Sequence, residues 1–169
     1  MIKLNKSLEK KLKKIKYIFF DFDGVFTDNS VYIGEDGKEF VKCSRSDGIG
    51  LKKLIKEGLE PYIVSSEKNK VVSARAKKIG IKSYQNVENK GSFLEKFFEE
   101  NNISKDETLF LGNDINDISA YKKVGIKVAV LDAFPELDSF IDFKTSKKGG
   151  EGAVREICDL VVYHNNIDE

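Results

Sequence analysis

The sequence is poor in the residues that build many metal and nucleophile sites. It has a single histidine, His164, and two cysteines, Cys43 and Cys158, among 169 residues. One histidine argues against a histidine-based zinc centre and a Ser-His-Asp triad. His164, close to the C-terminal end, reads as a solvated helix-end residue. Two distant cysteines with no paired ligand spacing do not make a disulfide scaffold. No apolar run is long enough to span a bilayer, and the basic N-terminus lacks the apolar stretch of a signal peptide. An excess of one charge is missing too: the net charge is +1, so no strong field draws the chain to nucleic acid or to an anionic membrane. No Gly-x-x-x-x-Gly-Lys-[Ser/Thr] loop is present, which argues against a nucleotide triphosphatase. These absences leave a cytoplasmic protein as the expectation.

What is there suits one α/β domain over residues 1–169. The length fits a single unit and is enough to bury a real core. Hydrophobic residues make up 40% and charged residues 34%. The high charge content fits either the surface ion-pair networks of a thermophile or a lysine-rich genome.

One stretch organises the rest: Tyr17-Ile-Phe-Phe-Asp21-Phe-Asp23-Gly24-Val-Phe-Thr27-Asp28. The run from Ile15 to Phe20 reads as a buried parallel strand. It ends in two carboxylates one residue apart, at the strand edge where open α/β sheets bind ligands. Two close carboxylates repel, so either a divalent cation binds or one carboxyl stays protonated. A calcium loop counted from Asp21 fails, because its glycine and glutamate places hold Phe26 and Tyr32. A plain turn after a strand is the competing reading.

The remainder of the chain bears on that choice. Leu4, Leu8, Leu12 and Ile15 recur at helical spacing within Lys3–Lys16, which predicts an amphipathic helix with a solvated lysine face rather than a nucleic-acid arm. Asp36-Gly37 between two β-rich runs predicts a hairpin over 29–42. Helices are predicted over 46–58, 69–79, 90–101, 113–124 and 153–163, with a short one near Pro135. Strands are predicted over 59–65, 81–84, 107–111 and 126–130. Alternation of strand and helix implies a parallel sheet with helices on both faces. Asp21 and Asp23, Ser65 and Ser66, and Asn113, Asp114 and Asp117 then fall at carboxyl ends of strands on one edge. Lys90 opens a helix at the same edge. A turn-only reading does not explain that convergence.

Several acidic or amide oxygens at one edge suit Mg²⁺, while a lysine and a hydroxyl beside them suit a phosphoryl group, whose transfer is mostly positioning and charge stabilisation. Asp21 is a candidate carboxylate nucleophile. Asp23 is a candidate acid for the leaving alcohol and then a base for water.

These residues resemble the four motifs of the haloacid dehalogenase superfamily: Asp21-Phe-Asp23-Gly-Val-Phe-Thr27-Asp28, Ser65, Lys90, and Gly112-Asn113-Asp114-Ile-Asn116-Asp117. With Ser46-Asp47-Gly48-Ile-Gly50 and Gly149-Gly-Glu-Gly152-Ala-Val-Arg155-Glu, the sequence is similar to the capless branch. That branch contains 3-deoxy-D-manno-octulosonate (KDO) 8-phosphate phosphatases, acylneuraminate and ketodeoxynonulosonate 9-phosphate phosphatases, and a domain fused to CMP-sialate synthetases. The resemblance implies an HAD-like α/β fold without a cap and a Mg²⁺-dependent phosphomonoesterase. Asp21 would be the nucleophile and Asp23 the general acid/base, with Ser65 and Lys90 holding the phosphoryl group. The metal set would be Asp21, Asp23, Asn113 and Asp114, where Asn113 replaces the usual aspartate. The substrate set would be Thr27, Asp47, Ser66, Glu67, Arg75 and Lys78. The resemblance also implies a homotetramer built on the hairpin, in which a neighbouring subunit covers the site.

Gly112-Asn113-Asp114 and Ser65-Ser66-Glu67-Lys-Asn69 depart from the octulosonate pattern, so the resemblance favours a nonulosonate 9-phosphate of sialic acid biosynthesis as substrate. Glu67 would accept from the sugar, and Arg75 or Lys78 would pair with its carboxylate. KDO 8-phosphate is the alternative substrate. A non-catalytic oligomerisation domain is the alternative of another class, disfavoured by retention of Asp21, Asp23 and Lys90.

Overall fold

A computed structural model describes Ile2 and residues 4–166. The first strand, β1 (Tyr17–Phe20), is followed by a hairpin of β2 (Tyr32–Ile33) and β3 (Glu39–Phe40). The other strands are β4 (Glu60–Val64), β5 (Lys82–Tyr84), β6 (Thr108–Gly112), β7 (Ile126–Ala129) and β8 (Phe143–Lys144). The helices are α1 (Lys6–Leu12), α2 (Arg45–Lys56), α3 (Lys70–Ile79), α4 (Lys90–Asn101), α5 (Ile118–Tyr121) and α6 (Ala153–Asn165). Six strands form one parallel sheet in the order β5-β4-β1-β6-β7-β8. The hairpin stands apart from it as a two-stranded antiparallel pair.

This order fixes where a ligand goes. From β1 the chain steps outward to β4 and β5; it then returns past β1 to β6, β7 and β8. Right-handed crossovers put the helices of the two halves on opposite faces. The contacts agree: α2 packs on α6 and α1 on α6, while α4 packs on α5. The reversal lies between β1 and β6, and a crevice forms outside the carboxyl ends of strands at such a switch point. Phe20 and Leu111, the last β1 residue and its β6 partner, are in register there.

The strands form where expected because their residues are apolar on both faces. Ile18, Phe19 and Phe20 of β1 and Leu109, Phe110 and Leu111 of β6 are fully buried. Phe19 stacks on Tyr62 of β4 with ring centroids 5.3 Å apart and meets Phe97 and Phe98 of α4. Each such pair contributes roughly 0.5–1.5 kcal/mol beyond its buried area, so β1 is clamped immediately before its two aspartates.

Several sequence expectations are corrected. The N-terminal helix begins at Lys6, with Asn5 as its cap accepting from the Leu8 N–H at 2.9 Å. Lys3 of that expected helix lies outside the described residues. The expected helix over 113–124 is a 3-10 turn, Ile115–Asp117, leading into the short α5. A sixth sheet strand, β8, went unseen because two residues carry no period. His164 is buried rather than solvated and meets the Tyr163 ring edge-on. Among the described residues, no helix is long and apolar enough to cross a membrane.

Candidate active site

Three loops at the β1/β6 edge build the site. β1 leads directly into Asp21, whose N–H donates to Leu111 O at 3.0 Å. The chain then turns through Phe22-Asp23-Gly24, with Gly24 at φ +77°. Gly149 and Gly150 press on this turn so closely that a Cβ on Gly149 would lie 1.9 Å from Gly24 O, and one on Gly150 2.5 Å from Asp28 N. The glycine-rich segment before α6 is therefore a brace for the nucleophile loop. β6 ends at Gly112 and delivers Asn113 and Asp114. β4 ends at Val64 and delivers Ser65, Ser66 and Glu67.

Lys90 sits beneath these loops with no exposed surface. Its Nζ lies 2.7 Å from Asp21 Oδ1 and 2.6 Å from Asp117 Oδ1. The other Asp117 oxygen accepts from the Asn113 N–H at 2.8 Å and the Asp114 N–H at 3.3 Å. One lysine thus ties the β1 and β6 loops together. Burial opposes the Lys90 charge, yet the Asp21 and Asp117 carboxylates hold its pKa above the usual lysine value. Burial, and then the charge of Asp117, push the Asp21 carboxyl up to about 7, against the pull of Lys90. Burial and the neighbouring Glu67 raise Asp23, with Glu39 adding to the effect and Lys90 opposing it. Two carboxylates for one lysine leave the site short of positive charge.

The orientation of Asn113 shows where a cation fits. Its amide oxygen faces two other oxygens, the Asp23 main-chain carbonyl at 3.0 Å and Asp21 Oδ2 at 3.1 Å. Turning the amide over would make its nitrogen a donor to both. As it stands, three oxygens form a small triangle. Ligands at 2.0–2.1 Å on adjacent octahedral positions lie about 2.9 Å apart, so the two separations from the Asn113 oxygen would suit a Mg²⁺-sized cation. Of the expected metal set, Asp21 and Asn113 bring side-chain oxygens to this triangle and Asp23 brings its main-chain carbonyl, while Asp114 also lines the cleft. Asp114 Oδ1 accepts from the Ile115 N–H at 2.7 Å, capping the turn. Among the described residues no three His, Cys, Asp or Glu side chains cluster as a metal site, because one donor here is an amide and another is main chain.

A cleft of about 230 Å³ lies over this triangle, lined by Asp21, Asp23, Ser65, Ser66, Glu67 and Asn113 among others. A larger cavity, of about 420 Å³, lies against α6 away from these carboxylates and carries none of this chemistry.

Residues 56–157 match the sequence profile of the haloacid dehalogenase-like hydrolases. The chain belongs to that family. It is 35% identical over 153 residues to the 3-deoxy-D-manno-octulosonate 8-phosphate phosphatase of Escherichia coli K12, covering 90% of this chain and 81% of that protein. Its fold superposes on the crystal structure of the corresponding Yersinia pestis phosphatase with a TM-score of 0.92 at 29% identity, covering 96% and 89% of the two chains. The Moraxella catarrhalis phosphatase, crystallised with magnesium, phosphate and KDO, gives a TM-score of 0.92 at 29% identity, over 98% and 96%. As in other haloacid dehalogenase-like hydrolases, the chain is an enzyme.

Not every residue assigned to the substrate meets the hydrolase cleft. Thr27 is buried, and its Oγ1 accepts from the N–H groups of Gly24 at 3.0 Å and Asn29 at 3.2 Å; it shapes the nucleophile loop. Asp47 is buried against α6, where its Oδ1 accepts from the Arg155 N–H at 3.1 Å. Its other oxygen has no partner among the described residues, and burial pushes its pKa up to about 6. Within one chain Asp47 joins α2 to the start of α6 and does not meet the cleft. Arg75 donates to Ser44 O at 2.7 Å, and with Lys78 it lines a separate cleft beside Arg45 and Lys52. Within one chain, neither joins the Asp21 cleft. Asp117 was visible in the sequence as part of the edge cluster, but its pairing with Lys90 was not.

Proposed function

We propose that the protein is a Mg²⁺-dependent phosphomonoesterase that hydrolyses a sugar-acid phosphate, with 3-deoxy-D-manno-octulosonate 8-phosphate as the substrate. The oxygen triangle beside Asp21 carries the reading: it would hold Mg²⁺ through Asp21, the Asp23 carbonyl and Asn113. When bound, the cation supplies charge neutralisation for the phosphoryl oxygens and for the Asp21 carboxylate. The similarity to the Escherichia coli octulosonate phosphatase supports the substrate.

The chain's own residues supply the remaining steps. An Asp21 carboxylate oxygen attacks phosphorus, the P–O bond to the sugar breaks, and the Asp23 carboxyl gives its proton to the departing alkoxide. Burial and Glu67 raise the Asp23 pKa, which favours the protonated form that this step uses. Water then attacks the aspartyl-phosphate, Asp23 takes its proton, and the bond to Asp21 breaks to release inorganic phosphate. Ser65, at the rim of the cleft, offers its hydroxyl to the phosphoryl oxygens, and Lys90 offsets the charge beneath them.

A nonulosonate 9-phosphate is the second reading, supported by Glu67, an acceptor that borders the cleft where a longer sugar would extend. We also propose a homotetramer assembled through the hairpin. Tyr32 and Ile33 are each 69% exposed and Phe40 61%, more apolar surface than an isolated arm ordinarily leaves in water. Phosphate release measured with Mg²⁺ on both sugar-acid phosphates tests the substrate. A kcat/KM at least about tenfold higher for the octulosonate supports the first reading, and the reverse ratio supports the second. No release from either would overturn the phosphatase assignment.

A further inference from the structure

The cleft over Asp21 does not end at Asp23. A second chamber, of about 250 Å³, adjoins it and shares Asp23, Asn29 and Glu67 with it. Its far wall is the hairpin, which contributes Val31, Glu39 and Val41, and the cap of α3, which contributes Asn69. Asn69 Nδ2 donates to Glu39 Oε2 at 2.5 Å, so the hairpin carboxylate is tied down over the chamber. Asn69 is itself fixed, because its Oδ1 accepts from the Val71 N–H at 3.0 Å.

The chemistry of this chamber is one-sided. Among the described residues no lysine or arginine lines it. Glu39 and Glu67 have no ion-pair partner among the described residues. An ionised carboxylate only accepts, at roughly four lone-pair sites, and Glu39 has one of them filled by Asn69. A second anion here would be repelled, and a purely apolar occupant would strip the carboxylates of water without replacing it. Hydroxyl groups are the occupants that satisfy them, while Val31 and Val41 offer apolar surface to a carbon chain. Asp23 stands at the junction of cleft and chamber. With the phosphoryl group over Asp21, the alcohol released towards Asp23 lies on the chamber side.

We propose that Glu39, oriented by Asn69, determines specificity by accepting hydrogen bonds from the hydroxyls of a polyhydroxylated leaving group. The proposal rests on the phosphatase reading. It adds a binding residue that none of the recognised motifs contains and gives the hairpin a role in the chain's own site.

Two substrates test it: the better of the two sugar-acid phosphates, and p-nitrophenyl phosphate, whose leaving group carries no other hydroxyl. In Glu39→Ala the ratio of kcat/KM for the sugar-acid phosphate to that for p-nitrophenyl phosphate falls roughly ten- to hundredfold, the effect of losing a charged hydrogen bond. Glu39→Gln, which keeps an acceptor oxygen, restores part of the ratio. Asn69→Ser, which keeps the α3 cap but not the amide donor, gives an intermediate fall. An unchanged ratio in Glu39→Ala overturns the proposal, whether both activities persist or both decline together. A wild-type protein inert on both compounds overturns the phosphatase reading first and this subsite with it.

Discussion

Lys90→Met is the sharpest test of how the site is held together. The wild-type ammonium has no exposed surface and bridges Asp21 and Asp117, themselves 4% and 0% exposed. Methionine fills similar space but leaves two buried carboxylates facing each other with no counter-charge. Removing one partner of a buried ion pair costs about 3–5 kcal/mol. For a chain of this length each kcal/mol moves Tm by about 2–4 °C, so a fall of roughly 10 °C is expected in metal-free buffer at about pH 7.5. The loss should shrink as pH falls, because protonation removes the repulsion. Adding Asp117→Asn removes one of the opposing charges while keeping an oxygen for the Asn113 N–H. The double variant should recover at least about 1 kcal/mol relative to the sum of the single changes, as contacting residues couple on that scale. Thermal melts of the wild type, both single variants and the double variant read this directly. A Lys90→Met protein melting within about 2 °C of wild type, or strictly additive changes, would refute the argument that Lys90 holds two carboxylates in place.

Further outcomes are expected. Asp21→Asn abolishes phosphate release while its melting temperature is kept or raised, since an amide is a poor nucleophile but needs no counter-charge; Asp23→Asn loses roughly 10²–10⁴-fold in turnover. The Asp21 carboxyl, raised to about 7 in the fold from 3.8, retains a proton that the unfolded chain has lost, so this group makes metal-free stability fall as pH rises from about 4 to about 7. Cation binding needs the ionised form, so about 5 mM Mg²⁺ should raise Tm more at about pH 8 than at about pH 5.5, and equal shifts would contradict the oxygen triangle. The same sign applies to Asp47, raised to about 6: Asp47→Asn stabilises by up to about 3 kcal/mol at about pH 8, and the gain shrinks towards pH 4 in paired melts. Replacing Tyr32 and Phe40 with glutamate should break the proposed tetramer into smaller species by light scattering, and a wild-type protein already monomeric at micromolar concentration would remove the oligomer proposal.

The sequence by itself carried the strand that ends in Asp21 and Asp23, the alternation that makes a parallel sheet, and the edge where Ser65, Asn113 and Lys90 meet. Those features are local. An apolar run, a glycine or a capping asparagine acts on neighbours two to four residues away, and once the strand order is set, crossover handedness decides the face on which each helix lies. The hairpin turn at Asp36-Gly37 was legible for the same reason, whereas the two-residue β8 was not. What the side chains do at the edge was decided only by the tertiary structure. The hydroxyl of Thr27 looks available in the sequence, but the fold gives it to backbone N–H groups, and one oxygen of Asp114 caps the turn that follows it. Asp47 and Arg75 sit in motif-like surroundings, yet packing of α2 on α6 and of α3 beside α2 turns them to helix ends and loop carbonyls. Asp23 places its main-chain carbonyl beside the Asn113 amide, which no residue type reveals. Lys90 and Asp117 become one unit only because β5 and β6 lie on either side of the switch point, bringing the start of α4 under the end of β6. Such pairings join positions distant in the chain, and their partners are chosen by the order of strands in the sheet rather than by any period in the sequence.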